Sequence, residues 1–233
     1  MPSNPSTPSL RTIIDKTLDR SAVEELCNDG TPIKLVGCDL EGADISRLDL
    51  ASWIFDGCIL RQANLIGANL EETQWTGCRG GFADFTSADL SDSTFQSSDF
   101  NNASFKRATL TSCRIERCKM TGANLSDAAT LGLSFEATLL AGAILPLLSF
   151  RKMTLRQLDF AQADLMKCDF RDSVLEDCSL RDANLADARF EGADLRGADL
   201  GGLRLFNAKA FRGATISREQ AGQLLSELGL SVL

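Results

Sequence analysis

From Leu35 to Leu205 a large apolar residue stands at every fifth position, and nothing constrains the fold of this chain more. Of the thirty-five positions in that register, all but Gly80 and Thr130 are Leu, Ile, Phe, Met or Trp. Two residues before each of them the chain is nearly as regular. Twenty-seven of those thirty-five positions are Ala, Cys, Ser or Thr. An α-helix with this pattern would smear its apolar residues around the cylinder, because five residues is far from a whole number of turns. A flat strand would alternate them onto both faces. A chain that turns a corner every five residues can aim each fifth side chain inward. Four corners close a square coil of about twenty residues, and such coils stack at the spacing of paired strands, about 4.8 Å. The small residue two positions earlier also points inward, where only a small side chain fits beside the large one. Gly at the second position after the centre, as at Gly192 and Gly197, suits a tight turn.

The repeated unit is small–Asp/Asn–Leu/Phe–x–x. It is plain in ANLIGANLEE (63–72), ADFTSADLSD (83–92) and ADLRGADLGG (193–202). In this the chain resembles the pentapeptide-repeat proteins. The resemblance implies an all-β solenoid: a right-handed quadrilateral β-helix of about nine coils, roughly 43 Å long at the coil spacing. Short helical segments are expected at both ends, because a solenoid must cover its open ends. Three regions follow: a disordered tail and helical N-terminal cap (1–30), the β-helix (31–212) and a C-terminal helix (213–233).

The Pro- and Ser-rich segment 1–8 is expected to be disordered. Leu10, Ile13, Ile14 and Leu18 fit one face of an early helix. Ser21 and Glu24 form a capping-box pattern before a second helix that closes near Gly30. Ser217 and Gln220 repeat the pattern at the other end. There Ala221, Leu224, Leu225 and Leu228 fall on one helical face, and Gly229 ends the helix. Besides capping, this face is a candidate for homodimerisation, because QAGQLLSELGLSVL (220–233) resembles the closing segment of the Qnr and MfpA subgroup, which dimerises tail to tail.

The chemistry available is narrow. The sequence has no His, which removes the usual proton shuttle and the commonest metal ligand. No nucleophile–base pair and no phosphate-cradling loop is present, so no catalytic residue is assigned and no enzyme activity, cofactor or small-molecule substrate is expected. Of eight cysteines, seven (38, 58, 78, 113, 118, 168 and 178) occupy the inward small position. There a thiol acts as a small hydrophobe rather than as a metal or redox ligand. A column of thiols that captures a soft metal is the alternative. The net charge of −8 disfavours direct binding to nucleic acid and favours a basic protein partner. No apolar run is long enough to span a membrane, and with no apolar core of a secretory signal near the N-terminus a cytoplasmic protein is expected.

Two surface features stand out. The face centred on Leu50, Leu70, Leu90, Leu110, Thr130, Phe150, Phe170 and Phe190 carries eight acidic and four basic residues. Its first half holds Asp49, Glu71, Glu72, Asp89 and Asp92, with no basic residue before Arg151. This strip suits a basic groove, or serves solubility. Between Thr130 and Leu158 the motif decays: the small inward position becomes Leu133, Leu148, Met153 and Leu158, and Leu139, Ile144 and Leu147 take outward positions around Pro146. The stretch marks a widened core in part, or an apolar contact patch.

The ATLG stretch (129–132) looks like the small break between the halves of a Qnr rod. The Qnr resemblance implies a protein partner, DNA gyrase or topoisomerase IV, whose DNA-binding saddle the acidic rod would occupy as a DNA mimic, protecting the enzyme from a quinolone-type poison. Unlike Qnr proteins, this chain has no loop that interrupts its coils from 35 to 205, and its N-terminal helical segment is extra. The other function class is a scaffold or regulatory module that binds some other basic protein.

Overall fold

The computed structural model describes residues 10–203, 208–227 and 229–231. The chain forms a parallel β-solenoid of about nine coils. Its strands are β1 (Arg11–Ile14), β2 (Ile33–Val36), β3 (Ile54–Asp56), β4 (Gln74–Thr76), β5 (Thr94–Gln96), β6 (Arg114–Glu116), β7 (Ser134–Glu136), β8 (Thr154–Arg156), β9 (Val174–Ser179) and β10 (Asp194–Asp199). Helix α1 (Arg20–Cys27) follows β1, and α2 (Arg218–Glu227) lies near the C-terminus. The register from β2 to β7 is twenty residues, as in Phe55 against Trp75 against Phe95. Single parallel bridges repeat the same step on the other three sides, for instance Ile59–Arg79, Asn64–Asp84 and Asn69–Asp89. Each coil therefore has four sides.

The five-residue period has two local causes. At each corner the second residue after the centre takes a left-handed conformation, with φ +57° at Gln62, +63° at Gly67 and +58° at Glu72. Just before the centre, an Asp or Asn side chain accepts the N–H of the residue just after it. Asp84 does this for Thr86 at 2.9 Å, and Asn124 for Ser126 at 2.9 Å. These Asx turns fold the chain around each apolar centre. At 144–146 both halves of the device are missing together. Ile144 has no side-chain acceptor, and Pro146 has no N–H that needs one. Gly197 departs from the expected corner: it lies inside β10 at a register shift, without positive φ.

The core is the stack of fifth residues and their small companions, nearly all buried. Aromatic rings pile up at the coil spacing. Phe85 and Phe105 stack at 4.8 Å, Phe150 and Phe170 at 4.9 Å, and Phe170 and Phe190 at 4.7 Å. The cysteine column is part of the same packing. Cys58, Cys78 and Cys178 donate to carbonyls of the preceding coil, Leu35, Phe55 and Leu155. In the same column Ser98 and Thr138 donate their hydroxyls to Trp75 and Ile115 in the same way. The column is thus a hydrogen-bonded inner seam.

The N-terminal end departs from expectation. Residues 11–14 form a strand, not a helix. Strand β1 pairs in parallel with β2, Ile13 against Leu35, a step of twenty-two residues rather than twenty, so the pairing begins well before residue 31. Consecutive Ile13 and Ile14 suit a strand, and pairing to β2 outweighs the weak helical spacing. The N-cap of α1 is Asp19, whose carboxylate accepts the Ala22 N–H at 2.9 Å, and not Ser21. Val23 and Leu26 of α1 pack onto the core. At the other end the solenoid continues past 205 with its phase shifted by one residue. Asp194 bridges Thr215 rather than residue 214, and Phe211 stacks on Phe190 at 4.8 Å. The capping box of α2 forms as expected, with Ser217 N–H to Gln220 at 2.6 Å and Gln220 N–H to Ser217 at 3.1 Å. Segment 1–8 and Leu228 lie outside the described residues.

Among the described residues the ladder breaks between β7 and β8. The seven-stranded sheet β1–β7 does not pair with the three-stranded sheet β8–β10. Two sides of the coil remain continuous there, through Lys119–Leu139–Asp159 and Asn124–Ile144–Asp164. On the first side Ala137 N–H still reaches Arg156 O at 3.1 Å although β7 and β8 form no ladder, and on the fourth the bonds stop. Leu110 N–H reaches Ala129 O at 2.7 Å and Ser112 N–H reaches Leu131 O at 2.8 Å, but the equivalent N–H groups of Thr130 and Gly132 have no backbone acceptor.

Candidate functional site

The fourth side of the coil, centred on Leu50, Leu70, Leu90 and their successors, carries the acidic strip. All five of its predicted residues are exposed, but their roles differ. Asp49 accepts the Ala51 N–H and the Asn69 side-chain amide, at 3.3 and 2.9 Å. Asp89 accepts the N–H and hydroxyl of Ser91, at 3.0 and 2.6 Å. These two carboxylates hold Asx turns. Glu72 takes one hydroxyl, from Ser52 at 2.9 Å. Among the described residues Glu71 and Asp92 make no side-chain bond, so these two and Glu72 have the freest carboxylates of the strip.

The second half of the same side is different. Its acids are neutralised nearby: Asp169 by Arg171, Asp172 by Arg151, and Glu191 by Arg189. The Arg171 guanidinium beside Asp169 holds that carboxyl below its ordinary range. Charge also varies along the length of the rod. Residues 1–99 carry sixteen acidic and seven basic residues, 100–156 carry three and eight, and 157–233 carry thirteen and nine. The rod is acidic at both ends with a basic band at its middle.

The three outward apolar residues do not form one patch. Leu139 bridges Lys119 and Asp159 on the second side of the coil, and Ile144 bridges Asn124 and Asp164 on the third. Leu147 is at the corner that leads to the fourth side. Leu139 and Leu147 are exposed, but Ile144 is only half-exposed. The sequence reading passed over Leu131, which is 81% exposed, and Phe82, which is exposed at a corner with φ +62°. Motif phase could have found both, since each is a large apolar residue at an outward position.

At the C-terminal end Leu224 is buried against its own rod. Gln220 is buried too, and its amide donates to Leu195 O at 2.7 Å and Ala198 O at 2.6 Å, closing the last coil. Ala221 is half-buried and Leu225 exposed. The predicted dimer face is thus divided: Leu224 serves as cap, and Leu225, with exposed Ile216 and Leu230, remains at the tip.

Among the described residues no three His, Cys, Asp or Glu side chains converge to hold a metal. Burial pushes the Cys113 and Cys168 thiols up to about 12, away from the thiolate a nucleophile or soft-metal site requires. No helix among the described residues is long and apolar enough to cross a membrane.

The model of a pentapeptide repeat region matches residues 33–105, and the model of pentapeptide repeats matches 88–127, 134–172 and 173–209. The chain belongs to the pentapeptide-repeat family. The second model's gap between 127 and 134 falls at the break in the ladder. Among solved structures, two trypsin-treated variants of QnrB1, a plasmid-mediated fluoroquinolone resistance protein, superpose on this pentapeptide-repeat protein with TM-scores of 0.61 and 0.60. Their identities are 20% and 22%, over 96% of this chain and 98% of theirs. Full-length QnrB1 gives a TM-score of 0.55 at 20% identity, over 95% and 98%. No curated protein matches the sequence.

Proposed function

We propose that this pentapeptide-repeat protein is a non-enzymatic, cytoplasmic binding protein. Its acidic N-terminal half occupies the DNA-gripping surface of a type II topoisomerase, DNA gyrase or topoisomerase IV, and alters the enzyme's response to a poison. The observation that carries this reading is the row of exposed, weakly engaged carboxylates at Glu71, Glu72 and Asp92 on one side of a narrow rod. A basic saddle built to grip phosphates is complementary to that row. The fold shared with QnrB1 supports the choice of partner. A homodimer through the exposed part of the C-terminal tip fits the same reading.

The basic central band favours a second reading. A uniform DNA mimic has no use for eight cations in 57 residues, whereas a scaffold that meets a partner of mixed charge does. A supercoiling and cleavage assay of gyrase, with and without a fluoroquinolone, separates the two. Restored supercoiling and fewer drug-trapped breaks, both lost in Glu71→Lys with Asp92→Lys, are the expected result. An unchanged enzyme at micromolar rod turns the reading to the scaffold.

A further inference from the structure

On the fourth side of the rod the break in the ladder coincides with the basic band and with two exposed leucines. Leu131 is 81% exposed and Leu147 66%. Both sit on coils whose mutual hydrogen bonds are missing on this side. The N–H groups of Thr130, Gly132 and Ser149 have no backbone acceptor, although the equivalent Ser112 N–H bonds Leu131 O and the equivalent Asp169 N–H bonds Leu148 O, at 2.8 and 2.9 Å. Four cations and one carboxylate flank this opening. Arg107 and Lys167 lie on the same corner ridge as Leu147, with Asp127 between Arg107 and Leu147, and Arg151 and Lys152 follow Leu131 one coil on. Of the four only Arg151 has an ion-pair partner among the described residues, Asp172 at 3.8 Å.

We infer that this surface docks an extended acidic segment of a protein partner that carries large apolar side chains. Each part of the patch answers a part of such a segment. The free cations meet carboxylates, and Leu131 and Leu147 meet apolar side chains. The unpaired N–H groups are donors, and backbone donors left without partners favour an incoming carboxylate or carbonyl oxygen. Charge alone would also admit a nucleic acid. Against it stand the acidic rod on both sides of the band, which repels a polyanion of any length, and the lack of an aromatic platform in the patch for bases. The inference does not depend on the topoisomerase reading, since it concerns the opposite charge on a different stretch of the rod.

The test uses the full chain and three fluorescein-labelled probes, followed by anisotropy at 0.15 M salt. The probes are a twelve-residue peptide of Glu and Leu, one of Glu and Ser with the same charge, and a short DNA duplex. The Glu/Leu peptide is expected to bind at least about ten-fold more tightly than the Glu/Ser peptide. Leu131→Ser with Leu147→Ser removes that advantage, and Arg107→Glu with Lys152→Glu weakens both peptides by roughly ten-fold or more. All four positions are exposed, so the variants keep the fold, which thermal unfolding checks. Equal binding of the two peptides, tighter binding of the duplex, or no peptide binding at 100 µM each overturns the proposal.

Discussion

The ring of Phe100 occupies the space that a side chain on Gly80, one coil earlier, would fill. Gly80 is one of only two gaps in the apolar register. Phe100 packs edge-on against Trp75 at 6.0 Å and Phe95 at 5.1 Å, so the core is not empty there but filled from the neighbouring coil. Gly80→Leu therefore overpacks the core. We expect a loss of about 3 kcal/mol in chemical denaturation. Phe100→Leu combined with Gly80→Ala should recover most of it, because the smaller residue at 100 vacates the space. A double variant no more stable than Gly80→Leu would break the link between the two residues.

That pair also shows how far the sequence reaches. Period, coil size and the inward cysteine seam were legible because each position repeats one environment many times. Gly80 read as a degenerate unit, since the residue that compensates for it is twenty positions away. The break at Thr130 left a trace as motif decay, but its confinement to two of the four sides depends on which hydrogen bonds survive. Asp49 and Asp89 were indistinguishable from Glu71 and Asp92 by charge. Only the Asx turns separate turn-holding carboxylates from free ones. The strand at 11–14 was missed because a four-residue run with two isoleucines satisfies helical and strand spacing alike.

The cysteines give a simple chemical readout. Seven are buried within the rod, and Cys27, at the end of α1, is the one partly exposed. Burial raises the Cys27 thiol as well, with the Asp49 carboxylate adding to the shift. In the native protein a thiol reagent such as DTNB should therefore label Cys27 alone, and slowly at pH 8, while all eight react in denaturant. Fast native labelling of two or more thiols would show that the inner seam opens to solvent.

Acid stability has a specific contributor. The Arg196 guanidinium hydrogen-bonded to Asp194 holds that carboxyl down to about 2, below its ordinary 3.8. A depressed carboxyl contributes stability that is fully present above its unfolded value, near pH 4, and is lost as pH falls through the folded value. Arg196 is largely exposed, so solvent screening keeps the contribution small. Asp194→Asn should lower the melting temperature slightly at pH 7, and the difference from the parent should close as pH falls from 4 to 2. A difference independent of pH would assign the effect to packing instead.

The tip of the rod separates capping from dimerisation. Leu224 lies against its own coil and Gln220 satisfies two carbonyls of the last strand, so changing either uncaps the solenoid. Gln220→Leu leaves those carbonyls unpaired and should cost about 1–3 kcal/mol in a monomer or a dimer alike. Leu225 is 39% exposed and is not part of the buried core, so Leu225→Asp leaves the cap in place. If two rods meet at their tips, that variant should halve the mass measured by light scattering with little change in melting temperature. An unchanged dimer mass would move the interface off the helix, and a monomeric parent would leave α2 with capping as its whole role.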